Sequence, residues 1–102
     1  MANGGCITWE DDIEAFFTQL DIGCMRDRGL DLSDYDAVKQ NVDRIYQFVY
    51  WDAQKPNPRM PQGGRKWDVE KLDMFCQWKT NGCPKTKADC PSPWRPCPPT
   101  TA

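Results

Sequence analysis

Histidine is missing from all 102 residues. That absence excludes His-based nucleophilic triads, His-ligated metal centres and the side chain that most often carries protons near neutral pH. Acid–base chemistry would fall to Asp, Glu, Tyr, Lys or Cys. Long apolar runs are missing too. None approaches the roughly 18 residues of a membrane span, so no membrane-spanning segment is expected. The opening residues, "MANGGCITWEDD", show neither the basic start nor the apolar centre of a signal peptide. A leader removed upstream would leave the same sequence, so export is not excluded. There is no basic stripe with interleaved aromatics, which argues against nucleic acid as a partner. No C-x2-4-C pair occurs, so structural zinc is disfavoured.

Cysteine, by contrast, is plentiful. Cys76, Cys83, Cys90 and Cys97 recur every seven residues, and Cys6 and Cys24 lie upstream. An even number in a short chain with a proline-rich end points to disulfides and an oxidising compartment, periplasmic or secreted. All six are disulfide candidates, and spacing alone does not choose their partners. Five Trp, four Phe and three Tyr supply most of the large groups available for burial. The length suits one domain. Residues 1–84 read as its helical body and 85–102 as a Pro/Cys-rich tail packed on the same domain. That tail has little apolar surface besides Trp94 and cannot form a core alone.

Charge is unevenly placed. Residues 1–52 hold eleven Asp/Glu against four Lys/Arg, and residues 53–102 hold four against nine. Two readings follow: the halves pack with complementary fields, or the acidic half docks a basic partner. The paired acids Asp11/Asp12 and Asp34/Asp36 do not share a helix face and carry little weight as an acid–base couple.

The fold class reads as all-α. Thr8-x-x-Asp11 resembles a capping box, and Trp9, Ile13, Phe16, Phe17 and Leu20 form a stripe at helical spacing that Gly23 closes as a turn. Ser33-x-x-Asp36 repeats the signal before Tyr35, Val38, Val42, Ile45, Tyr46 and Val49. The stretch "AQKPNPRMPQGGRK" reads as a loop, whose Lys55, Arg59, Arg65 and Lys66 could rim an anion site, though a solvated loop is the plainer reading. A further helix begins near Asp68, presents Leu72, Phe75, Cys76 and Trp78, and stops at Asn81-Gly82 with Pro84.

Met60-Pro61-Gln62-Gly63-Gly64, then Trp78 and Gly82-Cys83-Pro84, with Gly29 to Val38 upstream, resemble bacterial cytochrome-c-like domains over about residues 10–84. In that family a Met-Pro-x-Gly-Gly loop precedes a helix ending in Trp and a Gly-x-Pro stop. The resemblance implies a three-to-four-helix domain. It also places Asp21-Ile22-Gly23-Cys24-Met25 where the family carries its C-x-x-C-H haem attachment. Cys24 keeps the second Cys, Asp21 replaces the first, and Met25 replaces the His ligand. The resemblance therefore implies a haemless relative with no cofactor, and electron transfer is not inherited.

Met60 stands where the family has its second axial ligand. Cys24, Met25, Met60 and Trp67 thus become candidate ligand-binding residues around the vacated space. A Cu(I) site of Cys24, Met25 and Met60 is one expectation for such sulfurs. Side chains filling the space is the other, with Cys24 half of a disulfide. The leading functional expectation is a non-catalytic interaction or ligand-binding module, accessory to an oxidoreductase or binding a small organic ligand. The alternative is a small enzyme whose pocket is walled by Trp9, Trp51, Trp67 and Trp78, with Asp21 or Tyr46 as catalytic acid or base.

Overall fold

A computed structural model of the protein describes residues 6–60 and 66–98. The candidate loop residues Pro61, Gln62, Gly63, Gly64 and Arg65 therefore lie outside the described residues. Those described form helices and no strand.

Thr8 opens the first element. Its Oγ1 accepts the Asp11 N–H at 3.1 Å, as the capping pattern predicts, but its own N–H donates to the Asp12 carboxylate at 3.1 Å, one residue further on than expected. The displacement follows from the turn that forms. Trp9–Ile13 is a π-helical turn, with the Ile13 N–H reaching the Thr8 carbonyl at 3.1 Å, so the opening turn is wider than an α-helical one. A 3-10 turn, Glu14–Phe16, follows and ends at extended Phe17.

The single stripe expected from Trp9 to Leu20 is thus broken. Thr18 starts a new helix, α1 (Gln19–Arg26), through a complete capping box with Asp21. The break keeps Phe17 buried and turns Leu20 out, 58% exposed. Gly23, expected at a turn, lies inside α1. Chain reversal comes instead at Gly29, whose φ of +87° is a left-handed conformation that glycine adopts without a Cβ clash. The Leu30 N–H then closes back on the Met25 carbonyl at 2.9 Å.

The next stretch is also two helices, α2 (Tyr35–Gln40) and α3 (Val42–Val49), capped at its start by Asp34 rather than Ser33. Asn41 separates them, its side-chain amide donating to the Ala37 carbonyl at 2.8 Å. Val38, Ile45 and Val49 are completely buried, as their spacing predicts. The last helix, α4 (Val69–Thr80), begins where Asp68 accepts the Lys71 N–H at 2.7 Å and packs against α3. Its inner face carries Leu72, Phe75, Cys76 and Trp78 into one apolar cluster with Ile13, Phe17, Ile45 and Trp67.

Gly82 (φ +86°) and Cys83 (φ +58°) reverse the chain after α4. The reversal makes a hub of carbonyls. Cys83 accepts the Tyr35 hydroxyl; Pro84 accepts both the Trp9 N–H and the Trp78 indole N–H, each at 2.9 Å. The tail is stapled back as expected, by Cys6–Cys90 and Cys76–Cys97. Cys24 and Cys83, also candidates for pairing, are free thiols. Asn81 holds the tail further, donating to the Arg95 carbonyl at 2.8 Å and accepting its N–H at 2.9 Å. Two ion pairs, Lys79–Asp43 at 3.2 Å and Lys87–Asp11 at 3.9 Å, join the acidic half to the basic one. That is the complementary packing which the charge pattern offers as one of its readings.

Candidate functional site

The residues expected around a vacated pocket are dispersed between core and cap. Met25, Met60 and Trp67 are 6%, 3% and 4% exposed and belong to the central apolar cluster. Trp67 meets Phe16, Phe17 and Phe75 at ring-centroid distances of 5.4, 5.8 and 5.7 Å. Met60 is anchored by its N–H on the Phe48 carbonyl at 2.9 Å. Cys24 is half-buried on α1. Trp9 and Trp78 are buried with the core, 6.2 Å apart between ring centroids. Asp21 is buried too, but its carboxylate accepts the Thr18 N–H at 3.2 Å and so serves the cap of α1. Among the described residues no three His, Cys, Asp or Glu side chains gather as a metal site.

Tyr46 and Trp51 fall elsewhere. They line two adjoining open grooves between the C-terminal end of α3, the turn after it, the first half of α4 and the stapled tail. The larger, of about 530 Å³, is bordered by Tyr46, Tyr50, Trp51, Val69, Leu72 and Pro98, with Asp52 and Asp73 among its polar residues. The smaller, of about 440 Å³, shares Tyr46 and Tyr50 and adds Gln47 and Lys55. Cys24, Met25, Met60 and Trp67 line neither.

Helical spacing builds this face. Tyr46 and Tyr50 lie four residues apart, and their rings sit 5.6 Å apart, tilted by 49°. Tyr46 also stacks on buried Phe75, with centroids 6.2 Å apart and planes within 6°, while the Lys79 ammonium lies 5.5 Å from its ring. Burial first, then the neighbouring Tyr50 and Asp73, raises the Tyr46 hydroxyl above its ordinary pKa. The hydroxyl is therefore a neutral donor across the physiological range. The Tyr50 hydroxyl donates to Asp52 at 2.9 Å. Asp52 also accepts the N–H groups of Lys55 and Gln54, at 2.7 and 2.8 Å, and these bonds, Lys55 first, hold its carboxyl below the usual value.

Of the expected cationic rim, Lys55 borders the smaller groove. Lys66 lies 4.0 Å from the Trp51 ring and donates to the Pro56 carbonyl at 3.1 Å. Arg59 covers Phe48 at 5.8 Å. Two of these cations are thus placed over aromatic rings. The sequence reading missed Tyr50, Val69, Asp73 and Pro98. The available signal was the i, i+4 tyrosine pair running straight into Trp51.

No protein-family model matches the chain, and no solved structure matches it. One curated protein does. The chain is 32% identical over 90 residues to a protein of Emericella nidulans named Cyclopenase asqI. The match takes in 78% of this chain and 12% of that protein, so the chain spans only a small part of the relative's length.

Proposed function

We propose that this chain is a non-catalytic interaction or ligand-binding module serving a larger enzyme, and that the Tyr46–Tyr50 groove is its binding site. The observation that carries the reading is an apolar surface left in water. Val69 is 68% exposed on a groove also bordered by Leu72 and by the rings of Tyr46, Tyr50 and Trp51. Contiguous apolar lining with a few placed polar groups is the ordinary make-up of a binding cleft. The similarity to a small part of a protein named as an enzyme supports a module that accompanies a catalytic body. An oxidoreductase is the host that the cytochrome-like resemblance favours. The enzyme alternative has less support, because the Asp21 carboxylate is engaged by Thr18 and borders neither groove. The two disulfides support an oxidising compartment, and we read the protein as secreted or periplasmic.

Titrating isotopically labelled protein with indole tests the site. Amide shifts should concentrate in residues 46–53 and 69–73 and weaken in Val69→Lys. Shifts elsewhere, or none, would overturn the assignment. We also propose that the fold descends from a cytochrome-c-like domain that lost its haem. Protein made alongside haem-attachment machinery should then show no Soret band, and a haem bound through Cys24 would refute the haemless reading.

A further inference from the structure

We infer that the occupant of the groove is a proline-rich segment of a partner protein in polyproline II form, an inference that rests on the groove being the binding site. Such segments are recognised in aromatic-lined grooves because the pyrrolidine rings lie against flat π-faces and the helix is already ordered before binding. Here Tyr46 and Tyr50, 5.6 Å apart and tilted, open a slot that Trp51 extends.

The chain already lays such a segment on this surface. Residues 94–98, "WRPCP", run over α4 without helix or strand, and Pro98 is itself part of the groove wall. Their fixing is of the kind a polyproline strand needs: Asn81 makes both backbone bonds to Arg95, and Trp94 donates its indole N–H to Gln77 at 2.8 Å. A polyproline II backbone has no internal hydrogen bonds, so its carbonyls need outside donors. The grooves provide the Tyr46 hydroxyl, the Gln47 amide and the Lys55 ammonium. Charge gives the last element. Asp73 is an exposed carboxylate on the groove, against which an arginine set among the prolines would sit, as Arg95 is set beside Pro96 in the tail.

The probe is the synthetic peptide PPRPPP, with a second peptide in which alanine replaces every proline, both added to the full oxidised chain. The proline peptide should shift amides at 46–53 and 69–73, and the alanine peptide should not. Tyr50→Ala should weaken binding about tenfold, the effect of removing one aromatic anchor. Val69→Lys, a change at an exposed position, should weaken it while leaving the spectrum of the free protein otherwise intact. No shift with PPRPPP, or equal shifts with both peptides, would overturn the inference. If indole still shifts the groove amides in that case, the ligand class is wrong and the site stands; if indole fails as well, both are wrong.

Discussion

Breaking the two disulfides one at a time separates them by the length of chain each closes. Cys6–Cys90 spans 84 residues and Cys76–Cys97 spans 21. A crosslink restricts the unfolded chain by an entropy that grows with the logarithm of loop length, which near room temperature gives about 4.6 kcal/mol for the longer loop and about 3.3 kcal/mol for the shorter. The structure widens that gap. Without Cys76–Cys97, only the end of the tail gains freedom in the folded protein, against the remaining hold of Trp94 on Gln77 and Asn81 on Arg95. That native-state freedom offsets part of the loss. Cys6–Cys90 instead closes the loop around every helix, beside the Trp9–Pro84 and Glu10–Lys85 backbone bonds. Against a total of roughly 5–15 kcal/mol for a domain of this size, its removal takes a third or more of the stability. The clean variants are Cys90→Ala and Cys97→Ala, which leave the buried Cys76 sulfur in place. Urea unfolding followed by tryptophan fluorescence, at mildly acidic pH to suppress thiol exchange, gives both values. If Cys97→Ala costs as much as Cys90→Ala, or if both cost under about 1 kcal/mol, loop closure is not what these bonds contribute.

Three further outcomes can be checked. The raised hydroxyl of Tyr46 means that the folded protein holds its proton beyond the ordinary value of 10.0, where the unfolded chain releases it; stability present below about pH 10 should fall as pH rises further, and less steeply in Tyr46→Phe. Parallel pH profiles for the two proteins would contradict this. Burial pushes the Cys83 thiol up to about 11, and its side chain is 3% exposed, so iodoacetamide at mildly alkaline pH should label half-buried Cys24 long before Cys83; equal labelling by peptide mass mapping would count against the packing around Cys83. Thr18→Ala should cost about 1 kcal/mol in urea unfolding by removing the acceptor for the Asp21 N–H, and no loss would show that α1 starts for another reason.

Much of the helical body is legible in the sequence, because its signals are local. Asp68 caps α4, Asn81-Gly82 ends it, and Val38, Ile45 and Val49 point inward by spacing alone. The misread stretch is 9–29, where two local signals compete. The apolar stripe from Trp9 to Leu20 favours one helix, but Thr18 and Asp21 satisfy each other's N–H groups and start another on a different face. Gly23 looked like a stop because glycine usually weakens a helix interior; the stop needed a left-handed residue, and Gly29 provides it. The stapled tail follows from composition, whereas the pairing of Cys6 with Cys90 depends on where the chain returns in space. The groove was only half visible for the same reason: Tyr46 and Trp51 belong to one stretch of chain, and Val69, Asp73 and Pro98 arrive from two others.

The Cys6–Cys90 bond also decides how the molecule bears load. The two Cα atoms are 6.0 Å apart and joined through sulfur. Tension applied between the N-terminal segment and the tail would run from the tail to Cys90 and directly across to Cys6. Residues 7–89, with every helix and both grooves, hang as a side loop off that line and bear almost no force. Stretched in an oxidising medium, the protein should extend only by its end segments and keep its binding face; once a dithiol reductant cuts the bond, the same pull would pass through the helices and unravel them.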